Sequence, residues 1–179
     1  RAVERVDAML GKKMEKAINE QINAELYSSY LYLSMAAYFE SKNLKGFANW
    51  MRVQYQEETV HALRFFDYVV SKGGTVNLKA IDAPETKWDS PLAVFKASYA
   101  HEQKVTGLID KLVDLSIEER DHATHTMLEW FVSEQVEEEQ NADNVIQQLK
   151  LMADAPGGLF MMDLELAKRV FTPPATPAA

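Results

Sequence analysis

The sequence predicts an all-α fold: four long helices gathered into a bundle, with one long crossover between the second and third and a short fifth helix near the C-terminus. Three observations predict it. Apolar residues recur at three- and four-residue steps from about residue 12 to 155, with no strand pattern of any length and no solenoid repeat. Four such segments, each of about 27–36 residues, are longer than ordinary globular helices, which favours a bundle where each buries one stripe. The stretch "GTVNLKAIDAPETKWDS", between the second and third segments, has little periodicity and is too long for a turn. A 28-residue helix is about 42 Å long, and some 16 extended residues reach about 53 Å. The loop can therefore travel the whole bundle and set the third helix parallel to the second.

Each element has its own signals. The first helix is expected over about 12–40. Asn43 is the expected N-cap of the second, which runs to Lys72 and stops at Gly73-Gly74, a pair that tolerates the left-handed backbone of a helix end. Ser90 caps the third, with Pro91 at its first position and an end near Leu115. Ser116 and Glu119 have capping-box spacing and are expected to open the fourth, which ends before Pro156-Gly157-Gly158. A fifth helix follows at about 159–169. Short first–second and third–fourth connections make each pair antiparallel. The whole of 1–179 reads as a single domain: 1–11 an N-terminal extension, 12–155 the bundle, 170–179 a Pro/Ala-rich tail expected to be mobile. The chain opens on Arg1, and the sequence leaves open whether residues 1–8 are native or a processing remnant ahead of a start at Met9.

Composition narrows the function. With 179 residues, 47 % of them apolar, the chain can bury a substantial core. No apolar run approaches the roughly 20 residues of a membrane span, and no secretory signal is evident. There are no cysteines, which excludes disulfides, Cys-ligated zinc, iron–sulfur clusters and rubredoxin-type iron, and agrees with a cytoplasmic location. A net charge of −8 argues against nucleic acid as a partner. It favours cations, although solubility explains acidity equally well.

The inward stripes carry the chemistry. They read Ile18, Ile22, Glu25, Ser29, Tyr32, Ala36 on the first helix and Phe47, Met51, Gln54, Glu58, His61, Phe65 on the second. The third gives Phe95, Tyr99, Glu102, Val105, Ile109, Leu112, and the fourth Leu128, Phe131, Gln135, Glu138, Ala142, Val145. Each is apolar towards its ends and carries a carboxylate near its midpoint, and in antiparallel packing the midpoints meet at one level. A mid-helix glutamate alone reads as solvated, and a lone ExxH arises by chance. Four interrupted helices with one ExxH are a different pattern.

Buried carboxylates without partners cost several kcal/mol or become neutral. No Lys or Arg lies on these stripes, so a bound cation is the economical explanation. Glu58-x-x-His61 sets an oxygen and an imidazole nitrogen on one face, a pair suited to first-row divalent metals rather than Ca²⁺ or Mg²⁺. Glu25, Glu58, Glu102 and Glu138 together balance two divalent ions. Two adjacent one-electron donors are what reduction of dioxygen to peroxide requires; iron fits, whereas zinc is redox-inert. His101, His122 and His125 read as surface or structural.

These residues resemble the ferritin family, specifically the non-haem ferritins of bacteria and archaea. The resemblance covers about 12 to 174 and rests on "QINAELYSSYLYLSM", "EETVHALRF", "YAHEQ" and "LEWFVSEQVEEE". It implies a ferritin-like bundle, the architecture with one long crossover, and a ferroxidase centre inside each subunit. One iron would be held by Glu25, Glu58 and His61, and a second by Glu58, Glu102 and Glu138, with Glu58 bridging and Gln135 alongside or in weak contact through its oxygen. Glu57, Glu134 and Glu137, with Glu138, would form a third iron site towards a cavity; flanking glutamates are otherwise solvated. Tyr32 would donate an electron during oxygen reduction, with Trp130 a second donor, although packing explains either residue. The resemblance also implies a cage of 24 subunits around a hollow iron store. Outward Tyr27, Tyr30, Tyr38 and Trp50 are expected at subunit contacts.

Departures from neighbouring branches refine this. Where bacterioferritins place a haem-ligating methionine after the bridging glutamate, this chain has Thr59, so no haem is expected. The second ExxH of many di-iron bundles is replaced by Gln135-x-x-Glu138, which should leave the second iron held less tightly. Length and intra-bundle ligands argue against DNA-protecting miniferritins, whose sites lie between subunits. The expected function is iron storage: Fe(II) is oxidised with O₂ or H₂O₂ and deposited as ferric mineral. The alternatives are a soluble di-iron or di-manganese redox enzyme, such as a rubrerythrin-like peroxidase without storage, and a scaffold with a dead metal site. The absence of cysteine and of a second ExxH counts against the first, and the intact Glu25/Glu58/His61/Glu102 set against the second.

Overall fold

Helical periodicity closes into five helices in the computed structural model, which describes residues 9–174. They are α1 (Lys12–Ser41), α2 (Lys45–Ser71), α3 (Pro91–Glu118), α4 (His122–Leu151) and α5 (Gly158–Leu166). No strand occurs among the described residues. Expectations for residues 1–8 and 175–179 lie outside the described residues. The helix α1 packs along α2, α3 along α4, α1 against α3, and α5 against α2.

The crossover runs as its length allows. Its start lies beside the start of α1, where Leu10 N–H donates to the Lys72 carbonyl at 3.5 Å. The chain then follows α1 upward. Asn19 holds the Thr75 carbonyl and the Asn77 N–H at 3.0 and 2.6 Å. Asn23 donates to the Ala80 carbonyl at 3.1 Å, and Ser34 to the Glu85 carbonyl at 2.6 Å. The loop thus delivers Pro91 to the end where α2 begins, and Phe47 and Phe95 meet there with ring centres 6.0 Å apart. The third helix therefore runs parallel to the second.

Three boundary expectations need correction. Asn43 does not cap α2. Its φ of 58° makes it the left-handed residue of a tight helix–helix turn, a role its short polar side chain tolerates. The free N–H groups of α2 are met from elsewhere: Asp163 Oδ1, on α5, accepts from Gly46 and Phe47 at 2.7 and 3.1 Å. That approach requires glycine, since a Cβ on Gly46 would sit 1.6 Å from the Asp163 carbonyl oxygen. Nor does Ser116 open the fourth helix. It lies inside α3, bonded through Oγ to the Val113 carbonyl at 2.6 Å, and α3 continues to Glu118. Asp121 caps α4, accepting from Thr124 N–H at 3.0 Å. Finally, α5 stops at Leu166 rather than near 169.

The core is two apolar clusters with a polar layer between them. One gathers Tyr32, Phe39, Phe47, Phe95 and Val145 with their neighbours; the other gathers Ile18, Ile22, Phe65, Ile109, Leu128 and Phe131. Of the four inward stripes, only Tyr99 is not fully buried. Trp50 corrects an expectation. It is 5 % exposed, edge-on to Phe95 with ring centres 4.9 Å apart, because the chain after α5 covers that flank of α2. Tyr30 is exposed as expected, and Tyr27 and Tyr38 are half-buried.

Candidate metal centre

Between the two apolar clusters, the four helices bring Glu25, Gln54, Glu58, His61, Glu102, Gln135 and Glu138 together, each buried. Their positions follow from register: each sits at its helix's inward step between apolar residues that anchor the stripe at either end. Donor atoms of Glu25, Glu58 and His61 lie within 4.8 Å of one another. His61 Nδ1 is 3.7 Å from Glu58 Oε2, so one helical turn of α2 presents both. A second group, His61, Glu134 and Glu138, meets the same separation.

Hydrogen bonds separate the carboxylates into two kinds. Glu102 is tied at both oxygens: Tyr32 OH donates a very short bond to Oε1, and Gln135 Nε2 donates to Oε2 at 3.2 Å. Tyr32 also meets Ser98 at 2.9 Å. Gln54 Nε2 holds Glu138 Oε2 at 2.9 Å. By contrast Glu25 receives Gln21 Nε2 at Oε1, 2.7 Å away, while its Oε2 and Glu58 Oε1 are buried with no partner. Orphaned buried oxygens of this kind are costly. Two such oxygens, on carboxylates gathered with a histidine, fit a bound cation.

The electrostatics agree. Burial pushes the Glu58 carboxyl well above its ordinary range, and the neighbouring Glu102, Glu25 and Glu138 charges push further. Burial likewise raises Glu25. Glu102 is pushed up to about 8 by burial and then by Glu138, against the opposing bonds from Tyr32 and Gln135. Tyr32 is pushed up by burial and the Glu102 charge. Groups that would all prefer protons when alone become ionised only beside strong positive charge. Oxygen donors with one imidazole suit iron or manganese better than a thiolate-seeking ion.

The flank divides the expected third-site residues. Glu134 Oε2 stands 4.0 Å from His61 Nε2. Glu57 is pushed up to about 7 by burial, with Arg169 pulling it back. Glu137 is exposed; with Glu57, His61, Glu134 and Glu138 it lines a cavity of about 340 Å³ but joins neither three-residue group. Nor does Glu102, so the trio expected around a second iron (Glu58, Glu102, Glu138) is not gathered as closely as the first. Trp130 packs edge-on to His61 with ring centres 5.5 Å apart, and the Arg64 guanidinium lies 4.0 Å from the centre of its ring. His101 is half-buried and structural, bonded to Ser28 at 2.8 Å.

A family profile described as the ferritin-like domain matches residues 15–152. The chain belongs to the ferritin family. A bacterial non-heme ferritin of Bacteroides fragilis is 45 % identical over 161 residues, covering 90 % of this chain and all of the relative. One from Staphylococcus aureus is 34 % identical over 163 residues, covering 91 % and 98 %. Among solved structures, an open pore ferritin of the hyperthermophilic archaeon Archaeoglobus fulgidus superposes with a TM-score of 0.88 at 50 % identity, over 90 % of this chain and 98 % of that one. A humanized archaeal ferritin gives 0.90 at 50 %, over 91 % and 99 %.

Sequence reasoning missed several neighbours of the candidate centre. Gln21 could have been found, because it precedes Glu25 by one turn. Thr106, which donates to Glu139 at 2.6 Å and receives Gln135 at 3.3 Å, and Arg169, which reaches Gln54 and Glu57, carried no local signal.

Proposed function

We propose that the chain stores iron, oxidising Fe(II) to Fe(III) with O₂ or H₂O₂ at the buried centre and passing it on for deposition as ferric mineral. The observation that carries this is the pair of unpartnered carboxylate oxygens, Glu25 Oε2 and Glu58 Oε1, beside His61. Iron is the substrate here, so the residues must bind it, let it lose an electron and let it go. Glu25, Glu58 and His61 bind one Fe(II). Glu58 is shared with a second ion that Glu102 and Glu138 approach, Gln135 keeping Glu102 oriented. Two Fe(II) side by side supply the two electrons that take O₂ to peroxide. On binding, the protons held by the carboxyls are displaced, and oxidation with hydrolysis releases more.

Tyr32 holds Glu102 and stands as electron donor, with Trp130 a second donor beside His61. Glu57, Glu134 and Glu137, with Glu138, take iron as a third site on its way out. The chain works in the cytoplasm as a 24-subunit cage; among the described residues no helix is long and apolar enough to cross a membrane.

The test is aerobic loading with several hundred Fe(II) per particle. A soluble ferric core within a particle near 24 times 20.3 kDa is expected. Precipitation of ferric iron outside the protein, or a small oligomer that turns over without storing, would refute it.

A further inference from the structure

The guanidinium of Arg169 lies in the mouth of the metal centre although its backbone follows the end of α5. Asn49 Nδ2 donates to the carbonyls of Leu166, Ala167 and Arg169 at 3.3, 3.4 and 2.9 Å, laying the segment along α2. From there Arg169 Nη2 donates to Glu57 Oε2 at 2.7 Å and to the Gln54 amide oxygen. The guanidinium also lies 4.4 Å from the centre of the Trp50 ring. Gln54 in turn donates to Glu138 Oε2 at 2.9 Å, and Glu57 faces the same cavity as His61, Glu134 and Glu138. The Arg169 and Glu57 side chains are only 20 % and 23 % exposed. This is therefore not a solvated surface pair of negligible strength.

We propose that Arg169 is a tethered counter-ion that competes with metal for Glu57 and so weakens the hold of the flanking carboxylates on it. The inference rests on the iron-handling reading of the centre. At Glu57 Oε2 a metal and the guanidinium compete for one oxygen, and a metal on the other oxygen meets a carboxylate whose charge is already matched and a fixed cation beside it. A metal settling among Glu57, Glu134 and Glu138 therefore works against a cation that is already in place. Arginine suits this role: it stays charged at any working pH, rests on the Trp50 ring and cannot diffuse away. The consequence is a shallow site, occupied in passing, at the exit of a deeper one. A plain fastening role for Arg169 would stabilise the segment after α5 and leave metal affinity alone.

The experiment titrates chelator-stripped, assembled full-length protein with Zn(II) by calorimetry. Wild-type protein should show tight equivalents that Glu58→Ala abolishes; their absence would sink the reading of the central site independently of Arg169. Arg169→Gln should tighten the weaker equivalents roughly tenfold, while Arg169→Lys, which keeps the charge, stays near wild type. In a Glu57→Gln background, Arg169→Gln should change nothing, because the contested carboxylate is gone. Unchanged or weaker binding in Arg169→Gln, or an equal gain in the Glu57→Gln background, would overturn the proposal. A second readout uses unaltered protein, in case Arg169→Gln assembles poorly. Amide exchange of residues 167–172 should quicken as the weaker Zn(II) equivalents fill; identical exchange at every loading would overturn the proposal too.

Discussion

The two halves of the candidate metal centre are built from the same residue types and prepared differently. Around Glu25, Glu58 and His61, two carboxylate oxygens are buried without a partner. Around Glu102 and Glu138, three oxygens are already engaged, by Tyr32, Gln135 and Gln54. A cation entering the first half displaces protons and satisfies two orphaned oxygens, and among the described residues the only neutral side chain bonded to that carboxylate pair is Gln21. One entering the second must compete with a phenol and two amides. Hydrogen bonding thus sets apart two sites that a count of charges makes equal. The difference suits the proposed function, in which Fe(II) is seized and Fe(III) surrendered.

The largest expected effect tests the residue common to both halves. Glu58→Ala should slow rapid Fe(II) oxidation by at least about 100-fold while the particle still assembles, as stopped-flow absorbance and native mass would report. Oxidation at the wild-type rate would remove Glu58 from the centre and with it the distinction between halves. Glu58→Gln sharpens the point: it replaces a carboxyl whose ionised form burial and three neighbouring carboxylates disfavour, so the metal-free variant should melt higher than the metal-free parent at neutral pH.

Next in size is the affinity difference. Anaerobic titration with Fe(II) should resolve two steps separated by roughly tenfold or more, the tighter lost in His61→Ala. Two equally tight steps would show that the bonds to Glu102 and Glu138 rearrange at no cost, and the comparison would fail.

How far the sequence reveals this depends on the range of the physics involved. The layer of carboxylates was legible because helical period and burial are local rules. Glu25, Glu58, Glu102 and Glu138 fall on stripes whose other members must be inside. The crossover was legible from chain length alone. Caps were less so: Asn43 has the composition of an N-cap, yet the turn needed a left-handed residue there, and the cap came from Asp163, more than a hundred residues away. Arg169 lay beyond reach for the same reason. No cation sits on the stripes, and the arginine that bonds Glu57 arrives from a segment 112 residues away. Which oxygens of the centre are engaged was equally hidden, since Tyr32 and Gln135 meet Glu102 only once three helices are packed.

A pH effect should follow from the carboxylates themselves. Glu102 is pushed up to about 8, and Glu25 and Glu58 are raised as well. Metal-free folded protein therefore holds protons that the unfolded chain has given up above about 4.5. These groups stabilise the fold fully below that value, and their contribution is lost as pH rises through about 8. His101 works the other way: burial lowers it to about 4, so its contribution is present above its ordinary 6.5 and lost as pH falls through about 4. The clean window is therefore 6.5 to 8, where metal-free protein should lose several degrees of melting temperature by calorimetry. Zn(II)-loaded protein, its carboxylates ionised by the metal, should show little of that slope. A flat metal-free profile would mean that the buried oxygens find partners in solution.

The smallest expected effect separates the halves through one hydroxyl. Tyr32→Phe removes the bond to Glu102 Oε1 and the one to Ser98, while the ring still fills its place between the apolar clusters. Metal-free stability should fall by about 1 kcal/mol, because Ser98 loses a partner and Glu102 keeps only Gln135. The weaker metal step should tighten a few-fold, since one competitor for that carboxylate has gone, and the tighter step, whose ligands do not bond Tyr32, should move less. Oxidation rate is a separate readout: slower turnover with unchanged or improved binding assigns the phenol to electron donation, and unchanged turnover confines it to holding Glu102. If Tyr32→Phe shifts both metal steps equally, Glu102 is not special to the second half, and the two halves respond as one coupled set.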